Sequence, residues 1–231
     1  MKFLSTLFFL SLTVIGLAQS DNFEGKVTFS YSYEGADIEA YKPYLQTQSV
    51  YYFKGKDVRF EMVGGMSSML GYTLMDGDER IAYNVNDLQK KAFIMDRDTS
   101  DNQSIESDPN IDITATGETE SILNYSCKKY KIYDKEEETT IFVWLTTDIS
   151  FTNPEEYGGA AAGIFFPGVD GVMLKMQAET DMGNGQMLKV TQTVSEITQA
   201  VQDASLFEIP ADYEIKEFDP AEMFGAGSQG Y

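Results

Sequence analysis

Thr116–Leu145 reads TGETESILNYSCKKYKIYDKEEETTIFVWL. Two runs of apolar, β-branched and aromatic residues, Ile122–Tyr133 and Thr139–Leu145, flank the acidic stretch Asp134–Glu138. Such runs around a short polar turn predict a β-hairpin. In the second run Ile141, Val143 and Leu145 fall on one face and Phe142 and Trp144 on the other, because successive strand side chains alternate. A strand apolar on both faces is covered on both, which predicts a central place in its sheet. The chain's single Trp and single Cys, Cys127, both lie in this stretch. Cys127 falls inside an expected strand, which predicts a buried, inert thiol.

Working outward, Phe23–Tyr33 (FEGKVTFSYSY) alternates and predicts a half-buried first strand. In Gly35–Thr47, Ile38, Tyr41 and Leu45 fall at helical spacing, but Pro43 interrupts, which predicts a short or broken helix. Ser49–Met62 returns to β pattern around a Lys54–Asp57 turn. Leu70–Met75, Arg80–Val85 and Lys91–Met95 read as three further strands, with turns at Asp76–Asp78 and Asn84–Gln89. Asp96–Asn110 is polar and aperiodic, a solvated loop. Pro154–Ala162 has the pattern of a short helix, and Val172–Thr180 with Gln186–Ile197 that of a long hairpin. Leu206–Tyr213 closes the fold. About ten or eleven strands joined by tight turns predict one strongly curved antiparallel sheet or partial barrel, with one or two short helical lid segments.

The N-terminal MKFLSTLFFLSLTVIGLAQS has a Lys, an apolar run and a small-x-small site at Gly16–Ala18, the pattern of a secretory signal peptide cleaved near Ala18. The expected organisation is a signal peptide over 1–18, one β domain over 19–215 and a flexible tail over 216–231. The expected localisation is periplasmic or secreted, without a transmembrane anchor. The chain carries 17 basic and 37 acidic side chains, a formal net charge of −20. That balance argues against nucleic acid and anionic lipid surfaces as partners.

The chain has no His. Ser-His-Asp and Cys-His constellations are therefore absent, and one Cys cannot build a zinc site. No P-loop, G-x-S-x-G or G-x-G-x-x-G occurs. Ser126-x-x-Lys129 has S-x-x-K spacing, but within a strand its two ends face opposite sides. Asp96–Asp101 begins like a calcium loop yet lacks the Gly at the sixth position and the acid at the twelfth. Met62, Met66, Met69, Met75, Met173, Met176, Met182 and Met187 read as core or cavity lining, with a Cu(I) thioether site as the rival. The expectation is no enzyme, no cofactor, no metal site and no catalytic residues.

Leu74–Ala92 (LMDGDERIAYNVNDLQKKA) resembles the middle hairpins of LolA/LolB-like lipoprotein carriers, and Leu206–Tyr213 (LFEIPADY) their closing segment. Tyr52–Arg59, Gly117–Tyr130 and Val143–Leu145 resemble more closely an uncharacterised family of exported Bacteroidota proteins of the same half-barrel class, the domain of unknown function 4412 type. The resemblance implies a curved half-barrel whose concave face holds an acyl chain. The expected function is an exported, non-enzymatic binding protein for a lipid, an acylated ligand or another hydrophobic molecule. Tyr41, Leu45, Met66, Met69, Ile164, Phe165 and Phe166 are its candidate cavity or lid residues. The alternative is an interaction or structural protein of the cell envelope, with an envelope protein as partner and a core filled by its own side chains.

Overall fold

The computed structural model describes residues 23–35, 38–96, 109–151, 164–166, 169–181 and 185–219. The signal-peptide segment, residues 97–101 of the calcium-loop-like stretch, Pro154–Ala162, Met182 and the end of the expected tail lie outside them. The described strands are β1 (Gly25–Gly35), β2 (Gln48–Lys54), β3 (Asp57–Val63), β4 (Tyr72–Asp76), β5 (Ile81–Asn86) and β6 (Lys91–Asp96), then β7 (Ile111–Ile122), β8 (Tyr125–Asp134), β9 (Thr139–Thr146), β10 (Val172–Asp181), β11 (Met187–Gln199) and β12 (Glu214–Glu217). They form one open, curved sheet in the order β12-β6-β5-β4-β3-β2-β1-β11-β10-β9-β8-β7. Neighbours are antiparallel except β12, which runs parallel to β6. Helix is confined to one turn, α1 (Ile38–Tyr41), and to short 3-10 turns at Lys42–Tyr44, Gly65–Met69 and Ala204–Phe207. Pro43 sits at the start of the first of these, where its missing N–H leaves no bond unmade. Among the described residues no helix is long and apolar enough to cross a membrane.

Three details differ from the sequence reading. The run Ile122–Tyr133 is not one strand, because β7 ends at Ile122 and a two-residue turn, Leu123-Asn124, leads into β8. Both turn residues have positive φ, +48° and +69°, the geometry of the tight turns that suit twisted hairpins. That geometry normally announces itself as Asn-Gly, so Leu-Asn concealed it. β9 is interior but third from the β7 edge; the centre of the order belongs to β1 and its neighbours β2 and β11. Lys216 and Glu217, assigned to the tail, belong to β12.

The two faces of the sheet are closed by different means. Directly opposed residues on paired strands point the same way, so the register divides them. Val27, Phe29, Tyr51, Phe53, Val58 and Met75 share the inner face with Val143 and Leu145 and form one buried cluster. On the outer face Trp144 is only 6% exposed although, among the described residues, no second sheet or helix layer lies on that face. The Lys129 and Lys175 ammonium groups lie 5.2 Å and 4.4 Å from its ring, and their stems shield it from water. Each lysine is held in turn by an acid of β7, Glu118 at 3.0 Å and Glu120 at 2.9 Å.

The outer face of β3–β6 is covered by the segment leading into β12. Ile209 and Tyr213 pack on Tyr72, Leu74, Val85 and Ala92. The Arg59 guanidinium lies 3.6 Å from the Tyr72 ring and donates to the Leu206 carbonyl at 3.1 Å. The Tyr213 hydroxyl donates to Asp87 at 2.8 Å, and Lys90 pairs with Asp212 at 2.7 Å. Hydrogen bonds from Ser205 hold Asp203 below its usual value, and the bond from Lys90 does the same for Asp212. A carboxylate depressed in the folded state stabilises it above the unfolded value of about 3.9 and loses that effect as pH falls through the lower folded value. Acidification from pH 6 to pH 2.5 is therefore expected to lower the hydrogen-exchange protection of Glu214–Glu217 while Val27–Phe29 keep theirs. Equal loss in both places contradicts the assignment.

Candidate functional site

A curved sheet with no second layer must find cover for its inner face. At one end of β1 and β2 the β9–β10 connection supplies it. The Phe151 ring centroid lies 4.7 Å from that of Phe23, 4.9 Å from Phe53 and 5.2 Å from Phe165. Ile164 is fully buried, and its carbonyl accepts the Met173 N–H at 2.8 Å. Ile149, Phe166 and Val169 pack on the same cluster. This end is a closed apolar plug.

Toward the other end of β1 the inner face opens. Tyr31 and Tyr33 stack at 6.4 Å and are half-buried. The Tyr33 hydroxyl donates to the Gln46 carbonyl at 2.8 Å, and the Tyr31 hydroxyl lies 3.4 Å from Ser49 Oγ. Burial pushes the Tyr31 hydroxyl above its ordinary value. Phe60, Met62 and Val190 are half-buried on the same face by register. Beyond them come the first two connections. Gly65, at φ +58°, lets the Gly65–Met69 turn lie against the Lys42–Tyr44 turn, since a Cβ there would stand 2.3 Å from the Tyr44 carbonyl oxygen. Tyr41, Tyr44, Met66 and Met69 are exposed along this rim, by 53 to 62% of their surface.

Beside the plug lies a hollow of about 410 Å³, lined by Ile113, Ala115, Leu145 and Val169 and by the polar groups of Ser126, Lys128, Tyr130, Thr147 and Asp170. Its size is ordinary for a small-molecule site. One row in register runs from it across the sheet: Ala115, Tyr130, Val143, Met176, Gln192 and Tyr31, on six successive strands. The row joins the hollow to the half-exposed tyrosines. Among the described residues Asn84 Oδ1 is the one buried side-chain polar atom without a partner. Gln192, within this row, is 5% exposed, and the face becomes half-exposed beyond it at Tyr31, Tyr33 and Val190.

The seven residues singled out from sequence thus fall into two groups. Ile164, Phe165 and Phe166 belong to the plug. Tyr41, Leu45, Met66 and Met69 lie in the rim connections, at the far end of β1, about 30 Å of strand away. Neither the 410 Å³ hollow nor a second concavity of about 490 Å³ is lined by any of them. The second lies on the opposite face around Phe142 and Gln177, among the solvated acids Glu137, Glu138, Glu179 and Asp181. Sequence reasoning missed Lys128, Tyr130 and Asp170, which gather only through strand register. The methionines divide between core (Met75, Met173), inner face (Met62, Met176), rim (Met66, Met69) and β11 (Met187). Among the described residues no three His, Cys, Asp or Glu side chains stand close enough to hold a metal ion.

Cys127 is fully buried, and burial first, then Glu120 and Asp148, pushes its thiol up to about 11. It is expected to resist iodoacetamide at pH 8 in the folded chain and to react in 6 M guanidinium; rapid native alkylation contradicts this. Phe151→Ala is expected to destabilise the chain by about 3–5 kcal/mol in urea titrations, as loss of a buried aromatic does elsewhere. A cost within about 0.5 kcal/mol, the range of neutral surface changes, excludes Phe151 as the plug.

Residues 33–158 match the family model described as a domain of unknown function, DUF4412. No curated protein matches the chain in sequence. Among solved structures, PNGF-II is 15% identical, with a TM-score of 0.47 over 87% of this chain; the match spans only 32% of the PNGF-II chain. The LolA superfamily protein NE2245 from Nitrosomonas europaea is 11% identical, with a TM-score of 0.32 over 81% of this chain and 90% of its own.

Proposed function

For a chain that belongs to the DUF4412 family, a domain of unknown function, we propose the role of an exported, non-enzymatic binding protein that holds a hydrophobic ligand, a lipid or acyl chain, on its inner sheet face. The observation that carries the reading is the cross-strand row from Ala115 and Tyr130 through Val143 and Met176 to Tyr31. It runs in register from a hollow to a half-exposed aromatic floor, with Val143 and Gln192 buried and Tyr130, Met176 and Tyr31 half-covered, and half-covered apolar side chains on a concave surface suit an apolar guest. A LolA-like half-barrel of an exported Bacteroidota family, acting in the periplasm or outside the cell, is the setting we infer, from the signal-peptide pattern and the motif resemblance.

A second reading, an envelope interaction or structural protein with a filled core, is favoured by one observation. Phe151 and Ile164 already occupy the inner face at the plug end, as a self-filled core requires.

Native mass spectrometry of the protein purified from its own cells, with displacement of an environment-sensitive apolar dye by palmitate, separates the two. Co-purifying lipid and competitive displacement are expected. Met62→Glu, on the half-exposed floor, is expected to weaken dye binding at least about tenfold with unchanged circular dichroism, because a charge there must be desolvated by the guest. Absence of both lipid and displacement rejects the binding reading in favour of the filled core.

A further inference from the structure

The hollow beside the plug carries more information than its size. Lys128 and Asp170 both line it, yet they do not pair with each other, and among the described residues neither makes an ion pair or side-chain hydrogen bond. Lys54, Arg80 and Lys131 also lack an ion pair among the described residues, but of these four cations Lys128 is the one that lines the hollow. Lys26, Lys90, Lys129, Lys135, Lys175 and Lys189 are all neutralised by carboxylates. At the hollow, the Lys128 charge stands beside an apolar wall and is open to a guest. Ser126, Thr147 and Tyr130 line the same space, their hydroxyls likewise without a described partner, while Ile113, Leu145 and Val169 form its apolar part. The site thus offers one cation, one anion held apart from it, hydroxyls that donate or accept, and an apolar wall.

A simple fatty carboxylate would satisfy Lys128 and be repelled by Asp170. A guest carrying an anion and an N–H cation a few ångströms apart meets both. Charge-assisted hydrogen bonds of this kind are the strong and directional ones. We propose that the hollow recognises a zwitterionic lipid headgroup of the phosphoethanolamine type, its phosphate at Lys128 and its ammonium at Asp170. The acyl portion starts against the apolar wall of the hollow, Ile113, Leu145 and Val169. The inference rests on the ligand-binding reading above and adds the headgroup class to it.

The full chain is incubated with vesicles of phosphatidylethanolamine, phosphatidylcholine or phosphatidylglycerol, re-isolated, and its bound phospholipid phosphorus counted. Phosphatidylethanolamine is expected to be retained at least about tenfold more than either of the others, since choline has no N–H to donate and glycerol no cation. Lys128→Met is expected to abolish retention of phosphatidylethanolamine. Asp170→Asn is expected to bring phosphatidylethanolamine and phosphatidylcholine to the same level. Both side chains are exposed, so both variants should fold, and near-UV circular dichroism checks it. Free O-phosphoethanolamine that competes for retention places the selectivity in the headgroup rather than in chain packing; no competition overturns the assignment. Equal retention of all three lipids overturns the headgroup assignment and leaves lipid binding intact. Retention of none overturns the binding reading itself, and the headgroup proposal falls with it.

Discussion

Burying Phe53 requires something to lie on it, and a single-layered sheet provides nothing by itself. Sandwiches solve this with a second sheet and closed barrels by curling until opposite walls meet. This sheet stays open, with β7 and β12 at its edges. Among the described residues the cover comes from the β9–β10 connection, with Phe151 set between Phe23, Phe53 and Phe165 and Ile164 buried beside it. The placement of the other elements follows. β10 and β11 separate β9 from β1 in the sheet, so the connection after β9 reaches back over the inner face to put Phe151 on Phe53. The bulge between Met173 and Lys175 lets β10 bury Met173 and Leu174 in succession just where the connection returns. The plug is local, so the rest of the inner face is left to whatever the floor can hold.

The outer face meets the same problem with charge. The chain has acids to anchor lysines over its apolar side chains. Lys129 and Lys175 lie over Trp144 while Glu118 and Glu120 hold their heads, so an ion pair on the surface fixes the hydrocarbon stem that does the covering. Exposed pairs of this kind contribute at most about 1 kcal/mol each as electrostatics. Their larger effect here is to keep the stems where the indole needs them. At the other end of the sheet Arg59 plays a related part, between the Tyr72 ring and the Leu206 carbonyl.

How far the sequence was legible follows from these two devices. Period-two alternation and turn chemistry located β1 through β6 and the β10–β11 hairpin to within a few residues, because those strands have one plainly apolar face. The two-faced pattern of Ile141–Leu145 correctly implied cover on both sides, but cover does not imply the centre of the sheet. β7 escaped because it is an edge strand whose Thr and Glu residues face water or lysines, and its turn into β8 uses Leu-Asn. β12 escaped because a four-residue parallel strand has no pattern of its own. For the site, apolar residues in irregular segments were the signal followed. That criterion finds Ile164, which fills a core, as readily as a rim methionine. It cannot find Lys128 or Tyr130, whose significance lies in cross-strand register rather than in spacing along the chain.

Gln192 gives a way to judge how far the plug extends. It stands in the apolar row between Met176 and Tyr31, and its side chain makes no hydrogen bond to another described group. An amide shut into a dry core without a partner costs on the order of 1–3 kcal/mol. Two residues along β11 Val194, level with Phe29, is sealed. Gln192 itself is only 5% exposed, so the cover reaches past it, and no side-chain atom of it is both fully shut from water and unpartnered. The inner face turns half-exposed one step of the pleat further on, where Val190 pairs with Tyr33.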